Sequence, residues 1–100
     1  MGRAYTISDV VVKDDDAANA YRERAAASIA EFGGSYIVRG GTIEVVEGDW
    51  APSIIVIAEF PDMETAKNWY RSPEYAEALK FRDEALSRNL IFVEGVERGE

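Results

Sequence analysis

The stretch 53–60, SIIVIAEF, is apolar in both phases of a strand's alternation. Side chains along a strand point to opposite faces in turn, so Ile54, Val56, Ala58 and Phe60 lie on one side and Ile55 and Ile57 on the other. An antiparallel sheet with one wet face would alternate apolar with polar residues. Two further segments share the property. In 4–12, AYTISDVVV, Val10 and Val12 oppose Ile7 and Val11; in 89–96, NLIFVEGV, Leu90 and Phe92 oppose Ile91 and Val93. A sheet built from these strands needs cover on both faces.

The segments between them supply cover for one. From Asp15 to Phe32 the apolar residues Ala18, Tyr21, Ala25, Ile29 and Phe32 recur at helical spacing. Acidic residues at 14–16 suit the helix start, where free N–H groups and the positive dipole end favour them. Gly33-Gly34 ends that helix. Residues 35–39, SYIVR, read as a second strand; Gly40-Gly41 interrupts it and TIEVVE resumes it to Glu47, as one bent strand or two. Asp62 caps a short helix bearing Met63, Ala66, Trp69 and Tyr70. Ser72 caps another, with Pro73 in its first position, running to about Ser87. The order is β-α-β-β-α-β, a ferredoxin-like α+β arrangement with one antiparallel sheet and both helical regions on one face. One hundred residues make a single domain, 1–100.

The second face is left bare, an apolar patch of several hundred Å², larger than a monomer usually shows. A second copy of the chain packed on it is the simplest cover, so a homodimer is expected, with Trp50 in the 48–52 turn as a candidate interface anchor. Each 400 Å² of apolar surface so covered contributes about 10 kcal/mol before association costs.

Composition narrows the chemistry. Nineteen acidic against 11 basic residues give a net charge of −8, which argues against nucleic acid or an anionic membrane as partner. The chain has no cysteine and no histidine. That removes thiol chemistry, the commonest metal ligand and the commonest general base together, so neither metal nor cofactor is expected. The longest apolar run, Ile54 to Ala58, is far short of the roughly 20 residues that span a bilayer. The first residues carry no export signal, and a cytoplasmic location is expected.

Several fragments together carry a resemblance: Arg39-Gly40-Gly41, Glu47-Gly48-Asp49-Trp50, Glu59-Phe60-Pro61, Trp69-Tyr70, Ser72-Pro73-Glu74-Tyr75 and Glu94-Gly95-Val96. In this order, across residues 4–96, the chain resembles the family called domain of unknown function 1330. The resemblance implies membership of the dimeric α/β barrel superfamily, with a ferredoxin-like protomer and a face-to-face homodimer. No general activity attaches to the family. Its wider relatives include cofactor-free monooxygenases and isomerases, and haem enzymes that use a histidine this chain lacks.

Two groups of residues stand out as a candidate site. Tyr5 opens the first strand, Glu59 nears the end of the third, and Arg39 precedes the glycine pair; an antiparallel order could gather them at one sheet edge. Glu59, with Tyr5, would then serve as general base and Arg39 as anion holder. The plainer alternative is a structural ion pair. The second group is the helix break, where Trp69, Tyr70, Ser72 and Tyr75 could line a cleft for a small ligand and Arg82 could hold its anionic end. Here the alternative is that the rings fill the core and Arg82 pairs with an acid. The expected function is a homodimer binding a small organic ligand; the rival is a cofactor-independent monooxygenase or isomerase.

Overall fold

The structure, a computed structural model, describes residues 2–97. Its elements run β1 (Ala4–Val12), α1 (Asp15–Glu31), β2 (Ser35–Arg39), β3 (Ile54–Phe60), α2 (Met63–Tyr70), α3 (Pro73–Ala85) and β4 (Leu86–Glu94). The four strands form one sheet in the order β2-β3-β1-β4, every neighbouring pair antiparallel. This is the ferredoxin-like α+β arrangement.

Each helix starts where its cap residue allows. Asp14 accepts from the Ala17 N–H at 2.8 Å, Asp62 from the Thr65 N–H at 2.7 Å, and Ser72 from the Tyr75 N–H at 3.1 Å. Pro73 follows Ser72 at a position where its missing N–H costs no helical bond. α1 ends at Glu31, and two residues on Gly33 turns the chain with a φ of +76°, the left-handed geometry that glycine accepts without penalty.

The register fixes the faces. Ala4, Thr6, Ser8 and Val10 of β1 stand opposite Phe60, Ala58, Val56 and Ile54 of β3 and face the helices. Leu86, Arg88, Leu90 and Phe92 of β4 continue that row. The core between sheet and helices takes Tyr21, Ala25 and Ile29 from α1, Trp69 from α2, and Tyr75, Ala78 and Ala85 from α3. On the other face lie Ile7, Val11, Ile55, Ile57, Ile91 and Val93. Among the described residues no helix packs there, and Val11, Ile91 and Val93 are 53%, 56% and 41% exposed.

Two boundaries differ from expectation. β2 ends at Arg39, and 41–46 belong to no strand, neither as one bent strand nor as two. Gly40 takes a φ of +74° and turns the chain away after a last ladder bond, from its N–H to the Ile55 carbonyl at 3.0 Å. β3 begins only at Ile54, and among the described residues TIEVVE pairs with no strand; Val45 and Val46 stay 49% and 86% exposed. The loop returns to the sheet through Trp50, whose indole N–H donates to Asp9 Oδ2 at 2.9 Å on the face away from the helices. α3 stops at Ala85 rather than Ser87, and β4 begins at once. The Ala85 carbonyl accepts from the N–H groups of Lys13 and Asp14, which pins the chain reversal there.

Candidate functional site

The helix-facing row of β1 holds two hydroxyl side chains amid apolar neighbours. Thr6 and Ser8 are 5% and 7% exposed, and Ala58 stands opposite Thr6. These small side chains at the middle of the sheet leave a cavity of about 80 Å³ under α1. Tyr21 and Arg22 of α1, Tyr36 and Arg39 of β2, Trp69 of α2 and Arg88 of β4 form much of its wall. Three arginines therefore meet one cavity, and none of its lining residues is acidic. Among the described residues, the Thr6 and Ser8 hydroxyls make no side-chain hydrogen bond.

Arg88 is the centre of the polar wall. Its Nη1 donates to the Tyr21 hydroxyl and its Nη2 to the Tyr75 hydroxyl, both at 2.8 Å. The two hydroxyls are also hydrogen-bonded to each other. Among the described residues no carboxylate pairs with this guanidinium. Burial pushes the Tyr75 phenol well above its ordinary pKa, with Tyr21 adding to the rise and Arg88 opposing it. Burial raises Tyr36 as well, against the pull of Arg39. For Arg88 itself burial acts downward, but the tyrosine oxygens outweigh it and hold the group above its usual value. Tyr75 is thus a neutral phenol and supplies no negative charge to the arginine beside it.

The helix break is a filled cluster rather than an open cleft. Trp69 lies 4.2 Å from Tyr75, 5.2 Å from Phe60 and 6.1 Å from Tyr70, centroid to centroid. Its indole N–H donates to Ser28 Oγ at 3.0 Å, which ties α2 to α1. Ser72 is spent on structure: its hydroxyl donates to the Trp69 carbonyl at 2.7 Å while capping α3. Trp69 lines the cavity, and the Tyr75 hydroxyl touches it only through Arg88. Tyr70 is half-buried and stacks on Trp69, Tyr75 and Phe92.

Other residues expected at a site lie elsewhere. Tyr5 and Glu59 do meet, as register partners of β1 and β3, but on the face away from the helices. There Glu59 pairs with Arg3 at 3.2 Å. Arg39 is not with them. Because β2 runs antiparallel to β3, Ser35 lies opposite Glu59, and Arg39 lies opposite Val56 on the helix side. Its guanidinium stacks over the Tyr36 ring, 4.5 Å from the centroid, at the cavity wall. Arg82 pairs with its neighbour Asp83 at 3.3 Å and does not line the cavity; with Lys13 and Asp83 it borders an open depression that shares Leu86 and Arg88 with it. Trp50 is 63% exposed and holds Asp9.

Arg88, Tyr21, Thr6 and Ser8 are cavity residues that the sequence patterns above do not single out. The signals exist. Extending the alternation of β4 back to Leu86 puts Arg88 in the row Leu86-Arg88-Leu90-Phe92, a lone cation facing the core. The row Ala4-Thr6-Ser8-Val10 likewise shows two small polar residues where bulk is expected. Among the described residues no three His, Cys, Asp or Glu side chains gather as a metal site, and no helix is long and apolar enough to cross a membrane.

Comparison with known proteins fixes the family and the fold. Residues 3–96 match the domain of unknown function family DUF1330, and the chain belongs to it. No curated protein matches. Among solved structures, a protein of unknown function from Rhodopseudomonas palustris is 22% identical, with a TM-score of 0.77 over 96% of this chain and 84% of that one. SnoaB, a cofactor-independent oxygenase from Streptomyces nogalater, is 13% identical, with a TM-score of 0.67 over 99% and 98% of the two chains. A dimeric protein of unknown function with a ferredoxin-like fold, from Bacteroides fragilis, is 19% identical, with a TM-score of 0.55 over 95% and 98%. At these identities the likeness is one of fold.

Proposed function

We propose that this chain works as a homodimer that holds a small organic ligand in the cavity between its sheet and its helices. One observation carries the ligand reading. Thr6 and Ser8 sit almost fully buried in the core-facing row, beside a cavity, with hydroxyls that no described residue engages. Among the described residues no buried side-chain polar atom lacks a partner, so these two hydroxyls open onto the cavity, where an entering molecule can bond to them. The dimer reading is supported by the bare apolar face, where Val11, Ile91 and Val93 remain exposed, and by the dimeric neighbour of like fold.

The rival reading, a cofactor-independent oxygenase or isomerase, draws on the likeness to SnoaB. Its expected base, Glu59, stands on the wrong side of the sheet and is paired with Arg3. No carboxylate lines the cavity to replace it. The binding reading therefore leads.

Thermal-shift screening against a library of small neutral and charged organics tests it, with hits repeated on Ser8→Val. Hits that Ser8→Val weakens support the cavity as the site. A library without hits, or hits indifferent to Ser8→Val, would count against it.

A further inference from the structure

We propose that the ligand is a short-chain carboxylate, with its carboxyl group seated on Arg88. This rests on the reading of the cavity as a ligand site and adds the chemical class.

A guanidinium has five N–H donors and no acceptor. Arg88 gives two of them, to the Tyr21 and Tyr75 hydroxyls. Those two hydroxyls carry two protons of their own, and their mutual bond uses one. Three N–H groups and one phenolic O–H are thus left without a protein acceptor. Because the two tyrosine oxygens are in contact, they occupy the end of the guanidinium fork. That leaves its side edge, Nε–H with one Nη–H, which matches the two oxygens of a carboxylate. An ionised carboxylate only accepts hydrogen bonds, which is what this wall lacks.

Charge points the same way. A partly buried cation without a counter-ion favours the binding of an anion. Arg88 is largely buried, and among the described residues no acid pairs with it. The phenol of Tyr75 stays protonated beside it. Arg22 and Arg39, both exposed, line the same cavity. In a chain of net charge −8, three arginines at one cavity without an acid form a local positive field that draws anions inward.

Size then limits the anion. A cavity of roughly 150 Å³ holds a benzene, and a single water needs roughly 10–15 Å³. The 80 Å³ here falls between. It suits a carboxyl group with a few further heavy atoms, and it does not suit an aromatic ring. Thr6 and Ser8 can donate to an oxygen next to the carboxyl, so pyruvate fits the donor set better than propionate.

Calorimetric titration of the full chain with pyruvate, propionate, propionamide and benzoate, at constant chloride, tests this. Pyruvate and propionate should bind saturably, pyruvate the tighter. Propionamide and benzoate should bind at least tenfold more weakly. Arg88→Met should abolish binding of the acids. Arg88→Lys, which keeps the charge and removes the two-pronged edge, should weaken it several-fold and serves if Arg88→Met does not fold. Propionamide binding as tightly as propionate would overturn the carboxylate while leaving a ligand site. Binding of neutral library compounds alone would do the same. If neither these acids nor any library compound binds, both readings fall together.

Discussion

Replacing Tyr75 with Phe would keep the ring that packs 4.2 Å from Trp69 and remove one fully buried oxygen. That oxygen bonds to the Tyr21 hydroxyl and accepts from Arg88 Nη2. A hydrogen bond to a charged group contributes about 1.5–3 kcal/mol and a neutral one about 0.5–1.5 kcal/mol. The expected loss is therefore about 2–4.5 kcal/mol, a large part of the roughly 5–15 kcal/mol that holds a domain of this size folded. In an Arg88→Met background only the bond to Tyr21 remains to be lost, so the same change should cost about 0.5–1.5 kcal/mol. The difference, about 1.5–3 kcal/mol, is the coupling between positions 75 and 88. Urea unfolding of the four proteins at pH 7 and one protomer concentration measures it, provided the m-values agree. Tyr70→Phe is the control. Tyr70 lies in the same aromatic cluster, its hydroxyl makes no hydrogen bond among the described residues, and its loss should change stability by less than about 0.5 kcal/mol. Zero coupling, or Tyr75→Phe no worse than Tyr70→Phe, would refute the hydroxyl–guanidinium cluster and the proton count built on it.

The remaining expectations can be tested with the same material. The raised pKa of Tyr75 means that the folded chain keeps a proton the unfolded chain loses. Its contribution is full below the ordinary tyrosine value of 10.0 and is lost as pH rises beyond it, at up to about 1.4 kcal/mol per pH unit. The urea midpoint should fall above pH 10, and less steeply in Tyr75→Phe; equal slopes would argue against a buried phenol. Gly34→Ala would set a Cβ 2.7 Å from Phe60 Cε1 and 3.0 Å from Ile29 Cγ2, with Phe60 fully buried. It should destabilise by about 1–3 kcal/mol in urea, and a neutral result would mean the ring has room to move. Ile91 is 56% exposed on the bare face, and burying about half an Ile side chain in each of two protomers contributes about 2 kcal/mol in all. Ile91→Arg adds two charges to that loss and should weaken the dimer at least a hundredfold by sedimentation equilibrium. A wild-type chain that sediments as a monomer at micromolar concentration would remove the dimer.

The elements are legible in the sequence because capping and periodicity agree: Asp14, Asp62 and Ser72 cap the helices, and the strand alternations give the observed faces. The register of Tyr5 with Glu59 also follows from the order of the strands. What the pattern cannot carry is partnership. TIEVVE has strand-like residues but, among the described residues, pairs with no strand, and a strand exists only through its neighbour. Arg39 departs from expectation for a related reason: the antiparallel direction of β2 sends its end away from Glu59, not toward it. Arg88 is hidden by a boundary. A helix taken to end at about Ser87 and a strand taken to start at residue 89 leave it in the turn between them, while a strand starting at Leu86 turns it into the core.

That boundary decides how the candidate site should be understood. In the row Leu86-Arg88-Leu90-Phe92, a leucine at 88 would continue the apolar core without a charge. Apolar replacements of buried charges are often neutral or stabilising, so the fold alone gives little reason for an arginine at this point. Specificity gives little more, since the ring cluster around Trp69 and the capped helices already define the packing. The tyrosine oxygens outweigh the effect of burial and keep Arg88 charged, but Tyr75 is held neutral by its own burial, so the cluster keeps a net positive charge. The unliganded chain therefore presents a cation with no carboxylate partner among the described residues, which an entering anion would neutralise. On this account binding and folding are linked, and a ligand that neutralises Arg88 should stabilise the wild type while leaving Arg88→Met unmoved.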